Sequence, residues 1–338
     1  MIDPDTPFSP VAVVGAGAWG TALALVAARA GRAVRLLARR TERAAAIAAR
    51  RENEAYLPGI ALDPAIAVTA DPATALAGAA AALLVVPSQH VRATLLQLGP
   101  GLRAGLPLVL CAKGVERDTL KLTTEVAGEL APASPLAVLS GPTFAREVAL
   151  GLPTAVTLAC ADAGLGRRLV ATLGGPAFRP YLSDDPIGAE IGGATKNVIA
   201  IACGIVAGRR LGDNARAALM TRGLAEITRL AVALGGRRAT LGGLSGLGDL
   251  TLTCNNPQSR NMALGIALGE GRTLAAALAA ARGVVEGVDS APSIAALAAK
   301  HGVDMPIVAA VAAILHRGAA IEATMQALMA RPFANEAG

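Results

Sequence analysis

Val11-Ala12-Val13-Val14-Gly15-Ala16-Gly17-Ala18-Trp19-Gly20 decides the fold: an apolar run breaks into a glycine turn, and an Ala/Leu-rich helix follows from Thr21. The order strand, GxGxxG, helix is that of a dinucleotide-binding unit. Gly15 permits the tight turn, Gly17 lets backbone N–H groups approach a pyrophosphate, and Gly20 lets the helix pack close on the strand. The helix N-terminus favours the anion. Glycine turns also close ordinary βα units, so the weight rests on context, including a second strand at Ala33–Leu37.

After that strand come Arg39 and Arg40, with no acid before Glu42. An acidic residue about 20 positions past the loop accepts ribose hydroxyls in NAD sites, whereas Arg pairs a 2′-phosphate. NADP(H) is the expected preference, with NAD(H) possible; a solvated turn would also explain the two arginines.

Further apolar runs at Ala82–Val86, Leu106–Cys111, Leu136–Ser140 and Thr154–Ala159 alternate with helical or turn segments. They predict an α/β, Rossmann-type, doubly wound and mostly parallel sheet. From Pro186 the pattern becomes helical: Ile187–Ala207, Asn214–Leu234, Ser259–Leu268, Leu274–Ala281, Pro292–His301, Pro306–His316 and Ile321–Met329. The expected organisation is a nucleotide-binding domain over 1–185, an all-α C-terminal domain over 186–332, and a tail at 333–338.

The 338 residues are 53% hydrophobic, much of it Ala. The longest uncharged stretch, Pro72–Val91, contains Gly78, Pro87 and Ser88 and reads as an alanine-rich helix plus a buried strand, which argues against membrane insertion. The start Met1-Ile2-Asp3-Pro4 lacks a basic signal-peptide region, so a cytoplasmic location is expected. Cys111, Cys160, Cys203 and Cys254 have no CxxC spacing and read as reduced core thiols. His90, His301 and His316 lack metal-ligand spacing. A net charge of +6 is carried by scattered residues, and only seven aromatics (four Phe, two Tyr, one Trp) are present to stack bases. That balance suits small phosphorylated ligands better than nucleic acid.

Only four of the 31 basic residues are lysines: Lys113, Lys121, Lys196 and Lys300. A carbonyl substrate receiving hydride needs a proton donor, which Lys supplies and Arg cannot. Lys196 lies among small and apolar helix neighbours, where an ammonium is costly unless paired or functional; a snorkelling stem is the alternative. Lys113 follows a strand end, as a cleft residue or a solvated loop. Asp249, in Gly246-Leu247-Gly248-Asp249-Leu250, is positioned to accept a substrate hydroxyl or to cap a turn. Gln258-Ser259-Arg260-Asn261 opens a helix with free N–H groups and a guanidinium, an anion site or a plain capping turn.

These segments, in this order, resemble the bacterial-type NAD(P)-dependent sn-glycerol-3-phosphate dehydrogenases. The resemblance runs from Gly15 to about Leu328 through Val86-Pro87-Ser88, Lys113-Gly114, Ser140-Gly141-Pro142-Thr143-Phe144-Ala145, Gly193-Ala194-Thr195-Lys196-Asn197 and Val284-Val285-Glu286-Gly287. It implies reversible reduction of dihydroxyacetone phosphate to sn-glycerol 3-phosphate for phospholipid synthesis, with Lys196 as catalytic acid/base. It also implies substrate contacts from Lys113, Gly141, Thr143, Lys196, Asp249, Ser259, Arg260 and Asn261. Cofactor contacts are implied for Gly15, Gly17, Ala18, Trp19, Gly20, Arg39, Arg40, Lys113, Ala145, Arg260, Val284 and Glu286, and a homodimer for the assembly. The chain departs from the family at Leu37, where Trp is common, and in an N-terminal extension of ten residues. Two other readings stand beside this one: a two-domain dehydrogenase of the 3-hydroxyacid or ketopantoate type, and a non-catalytic NADP(H) sensor.

Overall fold

A computed structural model describes residues 6–281 and 283–332. The tail expected at 333–338 and the start at Met1–Pro4 lie outside the described residues. Eight strands form one sheet: β1 (Val11–Val14), β2 (Val34–Leu37), β3 (Ile66–Thr69), β4 (Ala81–Leu84), β5 (Leu108–Leu110), β6 (Leu136–Ser140), β7 (Thr154–Ala159) and β8 (Phe178–Ser183). Their order is β3-β2-β1-β4-β5-β6-β7-β8. The first six are parallel, β7 is antiparallel to β6, and β8 is parallel to β7. The chain crosses from one side of β1 to the other between β3 and β4, which opens a ligand crevice beyond the carboxyl ends of β1 and β4.

Successive residues of β1 point to opposite faces, Val11 and Val13 into one apolar layer and Ala12 and Val14 into the other. Both faces are covered by α1 (Ala18–Arg29), α2 (Thr41–Arg50), α3 (Pro72–Leu76), α4 (Val91–Leu98), α5 (Thr123–Leu130), α6 (Ala145–Leu150) and α7 (Ala163–Leu173). Two strands fall outside the sequence reading. β3 has an exposed and two half-buried positions among its four, and β8 carries Pro180 and exposed Tyr181 and Leu182 at the sheet margin, so neither shows the buried apolar run of an inner strand.

The second half is helical: α8 (Pro186–Gly208), α9 (Asp213–Ala233), α10 (Arg238–Leu241), α11 (Asp249–Asn255), α12 (Arg260–Gly269), α13 (Leu274–Ala280), α14 (Glu286–Lys300), α15 (Pro306–Arg317) and α16 (Ile321–Met329). α8 is long and apolar enough to cross a membrane, yet it forms the buried axis around which α9, α11, α12 and α14 pack. Val115 and Leu122, from the loop after β5, sit in this second core and bind the two halves together.

One expected helix, Pro292–His301, begins six residues earlier, at Glu286, with Pro292 inside it. Pro292 has no N–H for the Val288 carbonyl one turn back. His316 Nε2, 2.8 Å away on α15, donates to that oxygen instead, so the helix runs through the proline with its acceptor satisfied.

Candidate active site

The glycine turn has the shape that its sequence requires. Gly15 has φ +115°, and a Cβ there would lie 2.4 Å from the Val85 carbonyl oxygen; one at Gly20 would lie 1.8 Å from the Gly15 carbonyl oxygen. Gly17 is different, since a Cβ there would meet nothing within 4 Å. That open face at the N-terminus of α1 fits a pyrophosphate, so the residues present suit a dinucleotide. Ala18 and Trp19 begin α1, and the buried Trp19 indole N–H has no partner among the described residues. Arg39 and Arg40 are exposed just beyond β2, and Arg40 is the N-cap of α2.

A charged cluster lies where the helical half meets the sheet. Asp249, fully buried, opens α11 after a wide π-helical turn at Leu244–Gly248. Its Oδ2 accepts from Lys113 Nζ at 2.7 Å, and its Oδ1 accepts from Lys196 Nζ. The sequence reading left Asp249 open to a substrate hydroxyl, but both of its oxygens are engaged by ammonium groups. Lys196, on α8, also donates to Thr253 Oγ1 at 2.9 Å. Burial pushes its ammonium down to about 8; Asp249 opposes that shift and Lys113 adds to it.

Lys113 also donates to the Gly141 carbonyl at 3.1 Å, which brings the Ser140–Ala145 segment to the same centre. Gly141 has φ +143°, and Thr143 Oγ1 donates to its carbonyl at 3.3 Å. Ala145 is the first residue of α6, which packs on α1. Ser259 caps α12 by accepting from the Met262 N–H at 3.3 Å, and Arg260 is exposed at the first position of that helix. The first N–H groups of α12 have no acceptor within the helix, as an anion site requires.

Asn261, which the resemblance assigns to substrate, is 8% exposed, and its side chain is also anchored within the protein. Nδ2 donates to Asn197 Oδ1 at 2.9 Å and Oδ1 accepts from the Gly287 N–H at 2.9 Å. A second Nδ2 hydrogen and the backbone N–H are not used in these bonds. Asn197 Nδ2 in turn reaches Glu286 Oε2 at 3.5 Å. Burial raises the Glu286 carboxyl, with Arg260, Lys113 and Lys196 pulling it back. Val284 is exposed beside it.

Thr253 and Asn197 were missed in the sequence. Both carried a signal, Thr253 four residues after Asp249 on one helix face and Asn197 adjoining Lys196. Glu190 was missed too. Buried on α8, it accepts from Thr123 Oγ1 at 2.6 Å and from the Thr124 N–H at 3.0 Å, so it fastens the start of α5 to the helix that carries Lys196. Burial raises its carboxyl, against the pull of those hydrogen bonds.

Residues 10–165 match the family model described as NAD-dependent glycerol-3-phosphate dehydrogenase N-terminus, and residues 185–326 match that for the C-terminus. The chain belongs to the NAD-dependent glycerol-3-phosphate dehydrogenase family. Among the relatives of this dehydrogenase family, the glycerol-3-phosphate dehydrogenase (NAD(P)+) of Parvibaculum lavamentivorans is 57% identical over 329 residues, covering 97% of this chain and 98% of its own. That of Caulobacter vibrioides is 58% identical over 330 residues, covering 98% and 99%. The crystal structure of glycerol-3-phosphate dehydrogenase from Coxiella burnetii superposes with a TM-score of 0.92 at 40% identity, covering 97% of this chain and all of that one.

Proposed function

We propose that the chain is an NAD(P)-dependent glycerol-3-phosphate dehydrogenase that reversibly reduces dihydroxyacetone phosphate to sn-glycerol 3-phosphate and so supplies glycerophospholipid synthesis. The observation that carries this reading is the convergence of Lys113 and Lys196 on buried Asp249, with the N-terminus of α12 tied through Asn261 to Asn197, the neighbour of Lys196. Phosphate held by the α12 N–H groups and the Arg260 guanidinium fixes the far end of a three-carbon substrate and turns that binding into orientation of its carbonyl.

Bound reduced nicotinamide supplies the hydride. Lys196 supplies the proton to the nascent alkoxide, and its depressed ammonium, at about 8, gives it up readily near neutral pH. Asp249 and Thr253 aim that ammonium. Lys113 offsets the charge developing on the substrate oxygen. Arg39 and Arg40 support a preference for NADP(H) over NAD(H) by offering guanidinium groups to a 2′-phosphate. The four cysteines, buried and free, fit a reducing cytoplasm, and a homodimer follows from the family resemblance; sedimentation equilibrium checks the latter.

The test is the initial rate of NADPH and NADH oxidation with dihydroxyacetone phosphate, beside a Lys196→Met variant. Turnover that collapses in the variant while cofactor affinity is kept supports the assignment. No turnover with either cofactor, despite NADPH binding, overturns it.

A further inference from the structure

We propose that Asn53 is a positioning residue that sets the dinucleotide-binding turn from behind, a role that rests on Gly15–Gly20 being that turn. Asn53 lies in the loop after α2, far from the crevice in sequence, and is 1% exposed. Its Nδ2 donates to the Ala16 carbonyl at 3.0 Å and to Thr21 Oγ1 at 2.8 Å, and Thr21 Oγ1 donates to the Gly17 carbonyl at 2.8 Å. One buried amide therefore fixes the Ala16 carbonyl directly and, through the Thr21 hydroxyl, reinforces the hold on the Gly17 carbonyl, which also accepts from the Thr21 N–H at 2.9 Å.

In a trans peptide the carbonyl and the following N–H point in opposite directions. Holding the Ala16 oxygen inward turns the Gly17 N–H outward, and holding the Gly17 oxygen inward does the same for the Ala18 N–H. Those are the donors that a pyrophosphate meets over the open face of Gly17. Preorganised donors spare a ligand the cost of ordering them.

Two details favour this role over simple packing. Asn53 Oδ1 is buried without a partner among the described residues, a burden that an apolar side chain in the same slot would not carry. The loop that presents Asn53 is itself pinned: Leu57 and Ile60 sit in the sheet's core, the Asn53 carbonyl accepts from the Leu57 N–H at 2.8 Å, and Arg146, one residue into α6, donates to the Pro58 carbonyl at 2.8 Å. The amide must present its NH2 group, because both of the atoms it faces are oxygens. Aspartate cannot replace it.

The test measures Kd for NADPH by calorimetry without substrate, together with kcat and KM for dihydroxyacetone phosphate at saturating NADPH. Asn53→Leu and Asn53→Asp are expected to weaken NADPH binding about tenfold or more, with KM for dihydroxyacetone phosphate held within about twofold. Thr21→Val is expected to weaken NADPH binding likewise, whereas Thr21→Ser keeps the hydroxyl and the affinity. The double variant Asn53→Leu/Thr21→Val should bind no worse than the weaker single one, since the two side chains act as one unit. Unchanged NADPH affinity in Asn53→Leu overturns the proposal, as does a loss in Thr21→Ser equal to that in Thr21→Val. If the Asn53 variants fail to fold, the Thr21 pair decides. A wild-type protein that binds NADPH but does not turn over dihydroxyacetone phosphate fails the functional reading while leaving this affinity series intact.

Discussion

Lys113 and Asp249 stand 136 residues apart in the chain and 2.7 Å apart in space, and the carboxylate that receives Lys113 also receives Lys196. The sheet half and the helical half thus share one buried anion. Removing its charge leaves two ammonium groups facing each other. Asp249→Asn is expected to cost about 3–5 kcal/mol of stability, as breaking a buried ion pair does. Its kcat should fall about 10²- to 10⁴-fold through a misplaced acid. Thermal melts and steady-state kinetics check both; kcat within a few-fold of wild type would deny Asp249 its aiming role.

The depressed Lys196 ammonium predicts a pH dependence with a definite sign. Ketone reduction needs the protonated form, so kcat should be flat below about pH 8 and fall above it, while alcohol oxidation rises through the same point. Asp249 holds that break up and Lys113 pushes it down. Asp249→Asn should therefore lower it, and Lys113→Met should raise it. The same shift bears on stability: because the folded state binds this proton less tightly than the ordinary value of 10.5, the penalty is full below about 8 and is relieved as pH rises toward 10.5. A pH–rate profile for each variant checks the order of the three breaks.

Much of this was legible in the residues, and what was not had a physical cause. The inner strands announce themselves because they are buried on both faces, as in Val11–Val14; β3 and β8 do not, because half or more of each strand is left uncovered. Lys196 stood out because an ammonium among Gly, Ala and Ile demands an explanation. The engagement of both Asp249 oxygens and of both ends of the Asn261 side chain was invisible, since each depends on contacts among α8, α11, α12, α14 and the loop after β5 that no spacing along the chain encodes. Asn53 was hidden for the same reason: its partners lie more than thirty residues back.

Cofactor choice should follow Arg39 and Arg40. Both are exposed beyond β2 with no acid beside them before Glu42, so neither is committed to a buried partnership whose loss would unfold the protein. Replacing both with alanine is expected to raise KM for NADPH by about 10- to 100-fold, the scale of losing charge-assisted hydrogen bonds to a phosphate. KM for NADH should change little. Equal effects on the two cofactors would show that these arginines do not read the 2′-phosphate.

The distance from Lys196 to the end of α12 proposed to hold phosphate is set by backbone meeting backbone. Gly204 and Gly208 of α8 face Gly265 and Gly269 of α12. A Cβ at Gly204 would lie 2.2 Å from the Met262 carbonyl oxygen, and one at Gly265 would lie 2.1 Å from that of Ile201. No rotamer relieves such a clash, because the obstructing atoms are main chain, so Gly265→Ala must push the helices apart. Stability should drop by about 1–3 kcal/mol. The kinetic signature is more telling: KM for dihydroxyacetone phosphate should rise and kcat fall together, because Lys196 rides on one helix and the proposed phosphate grip on the other, while Kd for NADPH should change less, because of the cofactor contacts that the resemblance implies only Arg260 rides on α12. Calorimetry beside steady-state kinetics separates the two. A parallel loss of NADPH affinity would mean that the helical half, and not merely its internal spacing, had been disturbed.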